Sequence, residues 1–253
     1  MSSTVVDFGK PKGDPAYHLK IDLRKFFPPI NFKKMNKNKI PHIGLDIETL
    51  SLRPTACITS IAAKTFSFDG TIDEEHSFDC CVDATSCAMY GLTFEQRTVN
   101  WWAGQSDDAK RYFLDTPAIK LKEALQSLAQ LYRDVQAAYN CQRVLVWVQG
   151  SDYDIAVLRN AYRQVFEDDE KTIPWPHDCV RDARTYILSN LNLLHSVGFF
   201  NGFDPAYNPE RPYDVLPKRP GWVKHQADSD VLQMVWNIKC VTDFLLEALP
   251  VQQ

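Results

Sequence analysis

Hydrophobic and polar positions divide the chain into an irregular start, a strand-rich middle and a helix-rich remainder. Residues 1–40 follow neither strand nor helix period. Pro11, Pro15, Pro28 and Pro29 interrupt them, and Lys33, Lys34, Lys37 and Lys39 close them, so a basic, extended N-terminal arm is expected. From residue 43 a short apolar run ends in acids at 48, and residues 56–68 are rich in Ile, Thr, Ser and Phe. Asp69-Gly70 signals a hairpin turn, and residues 76–82 supply the returning strand. Helical periods come later. Thr98 is placed to cap a helix carrying Trp101, Trp102 and Gln105. Leu121, Leu125, Leu128, Leu131, Tyr132 and Val135 line one helical face, and Ile155, Leu158, Ala161 and Tyr162 another. Between them residues 144–148 are wholly apolar, as a strand buried on both faces requires. Residues 180–187 form a last strand or a strand-to-helix corner. Prolines 205, 209, 212, 217 and 220 mark a Pro-rich insertion at about 188–222, and Val231, Val235, Ile238, Val241 and Leu245 stripe a closing helix. These elements predict an α/β domain over 41–250 with a mixed sheet of five strands flanked by helices.

Composition adds limits. The chain has 253 residues, 45% hydrophobic and 24% charged, which excludes a disordered, collagenous or disulfide-dense class. Its 28 Lys+Arg against 32 Asp+Glu give a net charge of −4. The distribution is uneven: residues 1–40 carry nine Lys/Arg against three Asp/Glu, a net +6 on an otherwise acidic body. Such an arm suits phosphate contacts or simple solvation. Seven cysteines, an odd number with no CxxC, fit reduced thiols in a cytoplasm. Residues 1–10 lack the apolar core of a secretory leader, and no apolar run reaches the roughly 18 residues of a membrane span, so no membrane partner is expected. A zinc site lacks its ligand spacing.

Three acidic clusters sit where elements end. In Asp46-Ile47-Glu48 the carboxylates at i and i+2 project from one face of a strand. Burying unpaired charge is costly, and a divalent cation with a preference for oxygen ligands removes that cost; a solvated strand end is the alternative. Ser151-Asp152-Tyr153-Asp154 follows the buried strand, where sites collect in open α/β sheets. There Asp152 fits an N-cap and Asp154 the first helical turn. In His225-Gln226-Ala227-Asp228-Ser229-Asp230, Asp228 can cap the last helix and Asp230 lies in its first turn. His225, five residues upstream of Asp230, belongs to the preceding loop and reaches back beside that carboxylate, a position suited to a general base. Four carboxylates from three segments plus one histidine match a two-metal phosphodiester site.

In this order and spacing the residues resemble the DEDDh exonucleases, the DnaQ-like branch of the ribonuclease H-like superfamily. Asp46-Ile47-Glu48-Thr49 is similar to the first exonuclease motif, Tyr153-Asp154-Ile155-Ala156-Val157-Leu158 to the second, and His225 to Asp230 has the His-x4-Asp spacing of the third. Within that branch, residues of about 43–245 resemble the bacterial and phage 3′-5′ exonucleases of the mycobacterial exoribonuclease and phage exonuclease A type. The resemblance lies in Pro54-Thr55-Ala56, Ile58-Thr59-Ser60-Ile61, Trp101-Trp102-Ala103-Gly104-Gln105, Gly150-Ser151-Asp152 and Asp182-Ala183-Arg184-Thr185. Ala62 stands where that group often has Gly, and Tyr153 where Phe is common.

The resemblance implies a ribonuclease H-like fold and two divalent ions, Mg²⁺ or Mn²⁺, held by Asp46, Glu48, Asp154 and Asp230. It implies His225 as general base, and hydrolysis of single-stranded DNA or RNA from a free 3′ end to nucleoside 5′-monophosphates. Thr49 would contact the terminal sugar. Trp101 or Trp102 would stack a base or anchor the core, and Gln105 would orient a site group. Two rivals are a nucleic-acid-binding module with a dead site, which the intact acids and His225 argue against, and an endonuclease of the same superfamily, which the His-x4-Asp spacing disfavours.

Overall fold

The computed structural model describes residues 6–7, 20–21, 41–167, 169–200 and 207–248. Val6–Asp7 (β1) and Lys20–Ile21 (β2) pair antiparallel. The remainder of the expected arm lies outside the described residues, as does Pro205 of the Pro-rich segment.

The expected meander forms from β3 (His42–Thr49), β4 (Ile58–Phe66) and β5 (Ile72–Val82). Gly70 makes the turn at φ +84°, and its N–H donates to the Ser67 carbonyl at 2.9 Å. The returning strand starts at Ile72, earlier than its polar sequence suggests. The ladder pairs Thr65 with Asp73 and then Lys64 with Ser77, so residues 74–76 bulge out and break the alternation.

Four elements follow: α1 (Ala84–Met89), α2 (Gln96–Ala103), α3 (Asp107–Asp115) and β6 (Ala118–Ile119). The rest of the fold comprises α4 (Leu121–Ala138), β7 (Leu145–Val148), α5 (Asp154–Val165), β8 (Val180–Asp182), α6 (Ala183–Ser196) and α7 (Ala227–Ala248). The main sheet has six strands in the order β6-β5-β4-β3-β7-β8, one more than the five expected. The extra strand, β6, is two residues pairing parallel with Cys81 and Val82, too short to carry a period. Antiparallel β4 sits between β3 and β5, while β7 and β8 run parallel to β3, which makes the sheet mixed as expected. The corner at 180–187 is three residues of strand followed by helix. Residues 188–196, assigned from the sequence to the Pro-rich insertion, complete α6 and bury Leu191 and Leu194.

Helices cover both faces. Ile43, Leu45 and Ile47 of β3 join Val146 and Val148 against α4 and α5. Ala62, Phe66 and Trp147 pack against α6 and α7. Because side chains alternate along a strand, Gly44, Asp46 and Glu48 share the α7 face. Gly44 is needed there: a Cβ would lie 3.0 Å from Met234 Cε and 3.1 Å from Val231 Cγ1. The missing side chain lets α7 lie close on β3 and brings Asp230, one turn before Met234, towards the two strand acids. Among the described residues no helix is long and apolar enough to cross a membrane.

Candidate active site

Asp46 and Glu48 end β3 opposite Ala62 and Ser60, two small residues that are fully buried. The β3–β4 ladder shifts register between Glu48 and Thr49, directly after the acids. Asp154 opens α5 after the short turn that follows β7 and is only 6% exposed. Since β7 runs parallel to β3, the two strands end side by side, and Asp154 raises the pKa of both Asp46 and Glu48.

The expected cap at Asp152 is corrected. Tyr153 occupies that position, and Asp152 is exposed. Asp182 does the structural work instead, accepting the Ser151 N–H at 2.7 Å while capping α6 through Thr185 N–H, also at 2.7 Å. Asp228 likewise lies inside α7 and forms an ion pair with Lys64 at 2.7 Å. Thr98, expected as a cap, sits buried in the first turn of α2, whose N-cap is Glu95.

The turn before α7 delivers the histidine. His225 adopts φ +67°, a left-handed conformation uncommon outside glycine, and its backbone N–H donates to Asp230 Oδ2 at 2.8 Å. The other oxygen, Oδ1, accepts the indole N–H of Trp222 at 2.7 Å. Glu48, His225 and Asp230 each offer one ligand atom, all within 4.8 Å of one another.

Charge crowding dominates the electrostatics. Burial, reinforced by Asp154, Glu48 and Asp230, pushes the Asp46 carboxyl well above its usual range. Burial, then Asp230 and Asp154, raise Glu48 to about 8. Asp154 rises to about 7 through burial, tempered by Arg184. Burial also raises Asp230, against the lowering effect of the Trp222 and His225 N–H groups. Among the described residues none of the four forms an ion pair with a Lys or Arg. Such a set of oxygen donors fits Mg²⁺ or Mn²⁺, which would supply the missing positive charge.

The two tryptophans divide the roles considered for them. Trp102 is 8% exposed, donates its indole N–H to the Thr49 carbonyl at 2.9 Å and meets Phe113 edge-on, as a core anchor does. Trp101 is 46% exposed and stands edge-on to His225 with centroids 4.7 Å apart. Gln105, expected on this helix, lies just beyond the end of α2, and its amide donates back to the Trp101 carbonyl at 3.0 Å. The Thr49 and Tyr153 hydroxyls lie 2.5 Å apart and converge on the Ser51 carbonyl at 2.8 and 2.5 Å. Sequence reasoning missed this role of the Tyr153 hydroxyl and missed Trp222 altogether. Tyr153 was legible as a departure from Phe; Trp222 belongs to no periodic pattern.

Residues 41–198 match the family model described as the 3′-5′ exoribonuclease Rv2179c-like domain. No curated protein matches the chain by sequence. Among solved structures, cell-death related nuclease 4 (CRN-4) is similar in fold, with 12% identity and a TM-score of 0.51 over 81% of this chain and 64% of that one. E. coli exonuclease I in complex with an oligonucleotide is similar at 12% identity and a TM-score of 0.45, covering 83% of this chain and 43% of that one. S. pombe Pop2p in its Mg²⁺- and Mn²⁺-bound form is similar at 12% identity and a TM-score of 0.45, covering 81% and 83%. The chain thus spans less than two thirds of the length of the first two.

Proposed function

The chain belongs to the 3′-5′ exoribonuclease Rv2179c-like domain family, and on that premise we propose that it hydrolyses single-stranded nucleic acid from a free 3′ end to nucleoside 5′-monophosphates. The observation that carries this reading is the convergence of Asp46, Glu48, Asp154 and Asp230 at the ends of β3 and β7 and the start of α7, with His225 beside Glu48 and Asp230. The family's description favours RNA as the polymer.

Asp46 stands among the other three acids, and Asp46, Glu48, Asp154 and Asp230 would together hold the two divalent ions. Two such ions, Mg²⁺ or Mn²⁺, would supply positive charge to the phosphoryl oxygens and to the attacking and leaving oxygens when bound. His225 accepts a proton from the attacking water as the water oxygen bonds to phosphorus; the bond from phosphorus to the 3′ oxygen breaks, and that oxygen takes up a proton from solvent to leave a 3′ hydroxyl. Burial, with Lys224, holds the imidazole pKa below its usual value, so the ring is neutral and ready to accept at neutral pH. Trp101 packs perpendicular to that ring and, being half-exposed, would offer a base a surface to stack on. Thr49, braced by Tyr153, lines the position of the terminal sugar.

Product chemistry tests the proposal. Unlabelled single-stranded RNA and DNA digested with Mn²⁺ should each release mononucleotides carrying a 5′ phosphate. Products carrying a 3′ phosphate would contradict it, because they require cleavage of the other ester bond.

A further inference from the structure

Resting on the reading of Asp230 as a metal-binding carboxylate, we infer that Trp222 is a positioning residue that holds Asp230 in the orientation needed to take up a divalent cation. Trp222 lies outside the residues matched by the family model, at the end of the Pro-rich segment. Residues 217–223 run antiparallel along α7. Trp236 donates its indole N–H to the Pro217 carbonyl at 2.8 Å, Arg219 N–H donates to Gln233 Oε1 at 2.8 Å, and Val223 N–H donates to Ser229 Oγ at 2.9 Å. Each bond lies about one helical turn nearer the start of α7, and the strap ends by placing the Trp222 indole against Asp230.

Both oxygens of Asp230 are therefore engaged from one four-residue turn: Oδ1 by Trp222 Nε1 at 2.7 Å and Oδ2 by His225 N at 2.8 Å. Donor bonds to a carboxylate are charge-assisted and roughly twice as strong as neutral ones. Rotation of the carboxylate breaks both. Each oxygen keeps a further lone pair, and the two bonds fix where these point. The Lys218 ammonium, 5.8 Å from the Trp222 ring centroid, adds a cation–π contact that steadies the indole. Partners of this kind orient metal ligands, and losing one typically weakens metal affinity or activity 10–100-fold.

The test uses the full chain and two substitutions. Trp222→Phe removes the N–H and keeps a ring; Trp222→His keeps a ring N–H. Melting is followed against Mn²⁺ concentration without substrate, since a ligand that binds only the folded state raises the melting temperature by mass action. Trp222→Phe should need about 10–100-fold more Mn²⁺ for the same shift, with metal-free melting close to wild type, and Trp222→His should recover most of the loss. Ser229→Ala loosens the strap without touching the indole bond and should change Mn²⁺ uptake little. Wild-type uptake in Trp222→Phe overturns the inference, as does an equal loss in Trp222→Phe and Ser229→Ala. If Trp222→Phe does not fold, Trp222→Leu takes its place: weaker Mn²⁺ uptake there than in Trp222→His supports the inference, and equal uptake in the two overturns it. A wild-type protein without any Mn²⁺ response would bring down the metal site itself and this inference with it.

Discussion

The His225 ring meets Trp101 edge-on, with centroids 4.7 Å apart and planes at 78°, while the His225 backbone N–H binds the Asp230 carboxylate at 2.8 Å. Side chain and backbone are thus anchored to different helices, α2 and α7. The left-handed backbone at His225 costs on the order of 1–3 kcal/mol and persists only where the surroundings hold it. Aromatic contacts of this geometry are worth about 0.5–1.5 kcal/mol. Trp101→Ala should therefore lower kcat/KM on a short single strand by up to about tenfold, or more where the ring also stacks a base. Trp101→Phe should retain most of the activity. Steady-state kinetics of the two variants check this, and equal rates for Trp101→Ala and wild type would detach the ring from the chemistry.

His225→Ala should lower the rate by roughly 10²–10⁴, the usual worth of a general base. Burial holds the wild-type imidazole below its ordinary pKa of 6.5, so it stays neutral further into acid than a free histidine. The acid limb of the wild-type pH–rate profile should accordingly fall below pH 6.5, and the variant should lose that limb. An unchanged profile in the variant would remove His225 from proton transfer.

Metal-free protein should grow less stable as pH rises. Glu48 is raised from 4.5 to about 8 and Asp154 from 3.8 to about 7 in the folded chain, each chiefly by burial. The folded state then binds more protons than the unfolded one between these limits, so stability falls with increasing pH. The contribution is complete below about pH 4 and is lost as pH passes through about 7 to 8. Melting temperature measured in chelator from pH 4 to 8 should decline across that window, and Mn²⁺ should restore more stability at pH 8 than at pH 5. A melting temperature that rises with pH in chelator would mean the four acids are not crowded.

The register of the acids separates structure from chemistry. Asp152 is exposed and Asp228 pairs with Lys64, whereas Asp154 and Asp230 join the cluster. Asp152→Asn and Asp228→Asn should leave most nuclease activity intact, while Asp154→Asn and Asp230→Asn should abolish it with the fold retained. Circular dichroism beside a cleavage assay on all four variants checks the ranking, and its reversal would show that the wrong acids have been assigned to the site.

The features legible in the sequence are those set by local period or short spacing. The i, i+2 spacing placed Asp46 and Glu48 on one strand face, and the five-residue interval placed His225 in a turn beside Asp230. The stripe from Leu121 to Val135 and the apolar run at 144–148 marked α4 and β7 correctly. Features set by distant partners stayed hidden. Two-residue β6 exists only because β5 offers an edge to pair with. The start of β5 was masked by a polar bulge. The Ser151 N–H beside Asp152 is taken by Asp182, 31 residues away, a contact invisible in the local sequence. Trp222 meets Asp230 only because the preceding strap is bonded along α7, which no single window of sequence displays.

The direction of digestion tests the central claim most directly. Single-stranded RNA and DNA labelled at either the 3′ or the 5′ end are incubated with Mg²⁺ or Mn²⁺, beside a circular strand and an Asp46→Asn variant. The account predicts immediate release of the 3′ label as a mononucleotide, a 5′-labelled ladder that shortens step by step, an untouched circle, and no cleavage by the variant or in excess chelator. Release of the 5′ label first, cleavage of the circle, or full activity in chelator would contradict it.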